Sequence, residues 1–199
     1  MKGPARIALA AGGTGGHMFP AEALASELLA RGHAVALVTD RRGGGFGDRL
    51  AAVELHRISA GGLAGTGIVG RAQGVVQLGL GFFQARGLLG RLAPGVVVGF
   101  GGYASVPTVF AASFSGIPTV LHEQNAVLGR ANKLLAKRAT RIATSFTSVA
   151  GIAAADRAVL TGNPVRPAIA ALAPEPYVPI APDGEIRLLV VGGSLGARV

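Results

Sequence analysis

The chain predicts an α/β fold, a parallel sheet with helices on both faces. Short apolar, often β-branched runs alternate with longer stretches of helical period, the pattern of strands joined by crossover helices. Glycine clusters recur directly after several of those runs, where the loops of an open α/β sheet receive ligands. Half of the residues are apolar and 15% are charged, a composition that suits a packed core and argues against disorder.

The first strand spans residues 6–11. Ala21, Leu24, Ala25, Leu28 and Leu29 share one face over 20–30, with Glu22 and Glu27 off it, so a helix follows and ends at Arg31-Gly32. Residues 34–39 make a second strand, 43–47 a glycine-rich turn and 55–59 a short third strand. A long, interrupted helix is expected over 68–92, a fourth strand over 96–100, a helix over 105–115 and a fifth strand over 118–122. A helix rich in basic residues follows over 128–139, then strands over 141–145 and 159–162. The five prolines within 167–184 give that stretch linker composition. Beyond it, 185–191 reads as a new strand and 192–196 as a new glycine turn. The expected organisation is one domain over 1–166, a linker over 167–184 and the truncated start of a second domain over 185–199.

The formal charge of +9 is concentrated in the middle of the chain. Between Glu54 and Asp156 the only acid is Glu123, while Arg57, Arg71, Arg86, Arg91, Arg130, Lys133, Lys137, Arg138 and Arg141 all fall there. Such a surface can meet an anionic lipid or a phosphorylated substrate. Nucleic acid is not an expected partner, because no reading helix or RNA-binding motif accompanies the charge. There is no cysteine, hence no disulfide, zinc-thiolate site or thiol nucleophile, and a reducing compartment is compatible. Residues 1–11 carry too short an apolar run for a signal-peptide core. Residues 92–121 are uncharged, but Pro94, Pro107, Pro118 and the glycines of 99–102 punctuate them, so strand, loop, helix and strand fit better than a membrane span.

Gly12-Gly13-Thr14-Gly15-Gly16-His17 lies between the first strand and the first helix. Glycines there let the backbone approach a ligand, and the free N–H groups of a helix start favour an anion or a sugar oxygen. The third glycine of G-x-G-x-x-G, counted from Gly13, would fall at Met18, which disfavours a nicotinamide-dependent oxidoreductase using Asp40 as its ribose acid. No Lys follows, so the turn is not a Walker loop. A tight structural turn would explain one such cluster, but 99–103 and 192–196 repeat the arrangement. His122-Glu123-Gln124-Asn125 follows the fifth strand at the same edge, able to bond sugar hydroxyls or to cap the next helix. The segment from Thr161 to Arg166 ends the domain with an arginine, either a plain surface residue or one suited to a diphosphate between two domains.

The segments GGTGGHMFPAEALASEL, GFGGYASVP, HEQNAVLGRANKLLAK, TGNPVR and VVGGSLGAR resemble, in order and spacing, the family of peptidoglycan N-acetylglucosaminyltransferases that convert lipid I to lipid II. The resemblance covers essentially the whole chain. It implies the Rossmann-like N-terminal, acceptor-binding domain of an inverting GT-B glycosyltransferase, followed by the start of a donor-binding domain. It implies no cofactor and no metal, and the chain has no D-x-D pair to hold one. The implied partners are UDP-N-acetylglucosamine, lipid I, an anionic membrane surface on the cytoplasmic face and other cell-wall synthesis proteins. The competing readings are another GT-B nucleotide-sugar transferase and an inactive, truncated membrane-associated scaffold. These residues taken alone are not expected to catalyse.

By the same resemblance, the backbone of Thr14, Gly15 and Gly16 contacts a diphosphate, Asn125 bonds the donor sugar, and Arg166 and Ser194 hold the UDP portion. Gly101, Gly102, Tyr103 and Asn132 complete the substrate-binding candidates. Leu195 stands where the family usually has Gln, which puts one donor contact in doubt. Inversion needs a base for the acceptor's 4-hydroxyl. His17 is the first candidate, since the positive end of a helix start is expected to keep it neutral, although a histidine there can also serve only to orient phosphate. His122 and Glu123 are the second. Over 68–89, apolar pairs alternate with Arg71 and Arg86, as on a helix lying in a lipid interface or on a buried crossover helix with two solvated arginines.

Overall fold

A computed structural model describes residues 3–13, 15–41, 46, 50–61, 67–153, 155–176, 179–180, 184–186 and 188–190. Among them, seven strands form one sheet: β1 (Arg6–Ala10), β2 (Ala34–Thr39), β3 (Glu54–Arg57), β4 (Val96–Gly99), β5 (Thr119–Glu123), β6 (Arg141–Thr144) and β7 (Ala158–Leu160). Their order is β3-β2-β1-β4-β5-β6-β7 and every neighbouring pair is parallel. The helices are α1 (Gly15–Ala30), α2 (Ile68–Leu92), α3 (Ser105–Phe114), α4 (Arg130–Leu135) and α5 (Pro167–Ala170).

The continuous apolar runs of the strands follow from burial on both faces. Ile7, Leu9, Val35, Leu37, Val98 and Phe100 pack on one face with Ala21 and Ala25 of α1. Ala8, Ala36, Val38, Val97, Leu121 and Ile142 pack on the other, against Leu88 and Leu89 of α2, Val109 of α3 and Leu135 of α4. The chain winds outward from β1 to β3 and then returns to place β4 beside β1. The loops after β1 and β4 therefore lead to helices on opposite faces of the sheet, α1 on one and α3 on the other, and the carboxyl edge at this reversal is where open α/β sheets receive ligands.

Several boundaries differ from expectation. Helix α1 begins at Gly15, before Pro20 rather than on it, because Gly13 at φ +89° makes the turn and lets the helix start at once. Helix α2 is continuous over 25 residues. Two of its glycines serve close approach: a Cβ on Gly81 would overlap the Ser59 carbonyl oxygen, and the Gly74 backbone lies against Gly61, whereas Gly79 and Gly90 face open space. It ends at Ala93, in the left-handed conformation at φ 44°, with the Ala93 N–H on the Leu89 carbonyl. Helix α4 is shorter than 128–139, because Val127 pairs with Ala150 in an isolated bridge and the Leu128 N–H goes to the Ala150 carbonyl. The single turn of α5 lies inside the expected linker.

Over 185–191 no strand forms among the described residues, and Leu188 and Leu189 are 85% exposed. A run apolar on both faces needs a sheet covered on both sides, and no described strand lies beside it. The turn expected over 43–47 falls largely outside the described residues, as does all of 192–196. No helix among the described residues is long and apolar enough to cross a membrane.

Candidate functional site

A cavity of about 260 Å³ lies at the carboxyl edge, lined by residues from the β4 turn, from the end of β5, from α4 and by His17 of α1. Its floor is backbone. Gly101 and Gly102 take φ of +93° and +76°, a region that side chains rarely occupy. A Cβ on Gly102 would stand 2.5 Å from the Gly12 carbonyl oxygen, and one on Gly101 would stand 2.9 Å from Cε1 of His17. The two glycine turns thus meet without side chains between them. Ser105 Oγ sits 2.7 Å from the carbonyl oxygens of both Ala10 and Gly101 and ties the second turn to the end of β1.

One wall is held by Glu123, which is 1% exposed at the end of β5. Its Oε1 accepts from the backbone N–H and side-chain amide of Asn125 at 3.1 and 3.0 Å. Its Oε2 accepts from the Gly129 N–H and the Asn132 amide, each at 2.9 Å. Four donors satisfy the carboxylate where no cation is needed. The Asn132 amide also donates to the His122 carbonyl at 3.1 Å, and its Oδ1 is buried without a partner.

Behind the cavity runs a hydrogen-bonded row. His17 Nδ1 lies 3.3 Å from Gln124 Oε1. Gln124 Nε2 lies 3.0 Å from His122 Nδ1 and donates to the carbonyls of Phe100 and His122 at 3.1 and 3.2 Å. His122 Nε2 reaches the Gly162 carbonyl at 3.1 Å. Burial pushes the His122 imidazole below its usual value near 6.5, against the raising effects of the Gly162 carbonyl and of Glu123.

Seven sequence candidates converge on the cavity: His17, Gly101, Gly102, Tyr103, Glu123, Asn125 and Asn132. His122 is 4% exposed and does not line the cavity; its ring bonds Gln124 and its carbonyl accepts from Asn132. Gly15 and Gly16 open α1 beside His17 without lining the cavity. Arg166 stands apart, its guanidinium 4.1 Å above the ring of Phe19, which is half exposed on α1. Thr14, Ser194 and Leu195 lie outside the described residues. Sequence reasoning missed Gly129 and Arg130, which also line the cavity; the glycine before a basic helix was the available signal. It also missed the separate part of Gln124, which no local pattern marks.

The pattern of the Glycosyltransferase family 28 N-terminal domain matches residues 7–144. The chain belongs to glycosyltransferase family 28. This family-28 chain is 58% identical over 197 residues to the UDP-N-acetylglucosamine--N-acetylmuramyl-(pentapeptide) pyrophosphoryl-undecaprenol N-acetylglucosamine transferase of Rhodospirillum centenum, covering 98% of the chain and 52% of that relative. It is 57% identical over 195 residues to the protein of the same name from Paramagnetospirillum magneticum, covering 97% and 53%. The chain therefore spans about half the length of the curated relatives it matches. Among solved structures, Acinetobacter baumannii MurG superposes with a TM-score of 0.67 at 31% identity, over 80% of this chain and 46% of that one. The UDP-N-acetylglucosamine 2-epimerase of Rickettsia bellii, 14% identical with a TM-score of 0.61, shares the Rossmann-like fold alone.

Proposed function

We propose that this chain is the acceptor-side part of an inverting N-acetylglucosaminyltransferase that moves the sugar from UDP-N-acetylglucosamine to undecaprenyl-pyrophosphoryl-N-acetylmuramoyl-pentapeptide, lipid I, forming lipid II. The observation that carries this reading is the 58% identity, along 98% of the chain, to a relative bearing that name. The cavity supplies the chemistry. His17 takes the proton from the acceptor's 4-hydroxyl as its oxygen bonds to the anomeric carbon, while the bond from that carbon to the phosphate oxygen breaks and UDP leaves. Asn125, exposed at the rim, bonds the donor sugar. The backbone floor of Gly101 and Gly102 admits a close ligand, and Arg130 offers a cation at the start of α4. Glu123, its two oxygens committed to four N–H groups, shapes the wall; His122 supports from behind. Arg166, poised over Phe19, is free to turn toward a diphosphate.

Helix α2 supports peripheral association with an anionic membrane on the cytoplasmic face. Val69, Val75, Val76 and Phe83 are 61–71% exposed, while Phe82, Leu88 and Leu89 pack inward. Phe114, half exposed and stacked edge-on with Phe82, continues the apolar surface to Arg138, whose guanidinium lies 4.2 Å over its ring. Arg71, Arg86 and Arg91 are exposed around it, an arrangement suited to an interface that is apolar below and phosphate-rich above.

The test is transfer of labelled N-acetylglucosamine to a lipid I analogue by this chain continued with the C-terminal half of the R. centenum relative, compared with its His17→Ala and Asn125→Ala forms. Transfer by the parent, lost in both variants while melting is unchanged, supports the reading. No transfer, under conditions where the R. centenum protein itself is active, overturns it in favour of another nucleotide-sugar transferase or a non-catalytic scaffold.

A further inference from the structure

The bond between His17 and Gln124 leaves open which nitrogen of His17 carries the proton, and the surroundings of Gln124 decide it. The nitrogen end of the Gln124 amide stands 3.1 Å from the Phe100 carbonyl oxygen and 3.2 Å from that of His122. Carbonyl oxygens only accept, so an amide oxygen placed there would face two acceptors with no proton between them. The NH2 group must take that end, which leaves Oε1 toward His17. An oxygen accepts only, so the His17 nitrogen 3.3 Å away, Nδ1, must carry the hydrogen. The row continues consistently at its far end. His122 Nδ1 accepts from the Gln124 NH2 and its Nε2–H donates to the Gly162 carbonyl, as a neutral imidazole must with one donor and one acceptor.

We infer that Gln124 is a positioning residue: by accepting from Nδ1 it holds His17 in the Nδ1–H tautomer and leaves Nε2 as the nitrogen with a free lone pair. His17 lines the cavity, and its Nε2 has no hydrogen-bond partner among the described residues. The imposed tautomer is the minor one for a neutral imidazole in water, which favours Nε2–H, and an Nε2–H histidine would present a donor where the reaction needs an acceptor. The two carbonyls that set the direction come from the end of β4 and from β5, so the tautomer is dictated by backbone in the rigid sheet. The catalytic consequence rests on His17 being the base. The tautomer itself does not, and it is read without substrate.

The experiment is a long-range proton–nitrogen correlation spectrum of the histidine rings, recorded on this 199-residue chain labelled with nitrogen-15 at about pH 8, above the ordinary histidine range. The chain has four histidines, and the His17 signals are assigned by their loss in His17→Phe. The expected result is a pyrrole-type Nδ1 and a pyridine-type Nε2 for His17, with the two types exchanged in Gln124→Met, which keeps side-chain length and removes both polar ends. Gln124→Ala serves as the second variant, with unchanged spectral dispersion as the measure of folding for each. A parent His17 that is predominantly Nε2–H overturns the inference whatever the variants do. So does a folded Gln124→Met or Gln124→Ala chain whose His17 stays Nδ1–H. If the tautomer behaves as stated while His17→Ala retains transfer, the inference stands and the assignment of His17 as base falls instead.

Discussion

Replacing Glu123 with glutamine probes how the cavity wall is held. The carboxylate accepts from four N–H groups, two on each oxygen. Glutamine keeps one oxygen, and its NH2 must face one of the two pairs. Asn125 is exposed whereas Asn132 is 2% exposed, so the oxygen stays with Gly129 and Asn132 and the NH2 turns toward Asn125. There the side chain can rotate to present its own oxygen, but the Asn125 backbone N–H loses its acceptor and the remaining bonds lose their charge. The loss is about 2 kcal/mol, taking one buried bond left unmade and others weakened. For a chain of this size that lowers the melting midpoint by about 4–8 °C. Glu123→Ala removes the acceptor from all four donors, including the buried Asn132 amide, and costs at least about 3 kcal/mol. Urea unfolding followed by far-ultraviolet circular dichroism reads both values, and an unchanged slope shows that the variants unfold from an equally compact state. Glu123→Gln within about 0.5 kcal/mol of the parent, with Glu123→Ala no worse, would refute the four-donor network.

Gly102→Ala is expected to destabilise by about 2 kcal/mol or more, since it adds a Cβ at φ +76° against the Gly12 carbonyl; the same unfolding measurement checks it. Ala93→Gly relieves the left-handed end of α2 and should add about 0.5–1 kcal/mol, seen as a higher urea midpoint. His122, held below its ordinary value chiefly by burial, binds protons less readily folded than unfolded. Its contribution is therefore fully present above pH 6.5 and falls as the pH drops from 6.5 toward the lowered folded value. In His122→Phe that part of the pH dependence disappears, so the unfolding free energy of the parent minus that of the variant should fall as the pH drops below 6.5, and a difference that stays flat on acidification refutes the reading. Phe83→Ser together with Val76→Ser is expected to reduce sedimentation with vesicles containing anionic lipid at least several-fold without lowering the melting midpoint; undiminished binding would move the membrane contact off α2.

The elements legible in the sequence were those whose signal is local. Residues 34–39 and 96–99 announce strands because burial on two faces writes an apolar run into consecutive positions. Boundaries set by distant partners were not legible. Nothing near Gly81 says that the Ser59 carbonyl packs against it, so Gly74 and Gly81 read as interruptions of α2 when they are points of contact. Nothing near Leu128 says that Ala150 holds it extended, so α4 read as twice its length. In the site, the glycine turns and His17 were visible because the need for backbone approach leaves glycine in the sequence, and seven candidates do share one cavity. The direction of the Gln124 amide was not visible, since it depends on where the Phe100 carbonyl comes to rest.

The meeting of the two glycine turns has an entropic consequence. Gly101 and Gly102 have no χ angles to freeze, so a ligand settling on that floor costs no rotamer freedom there. The ordering cost of association is confined to the rim, to side chains such as Tyr103, Asn125 and Arg130. Substitutions at those rim positions can alter which ligand is held and for how long, while the depth and shape of the floor stay a property of the backbone.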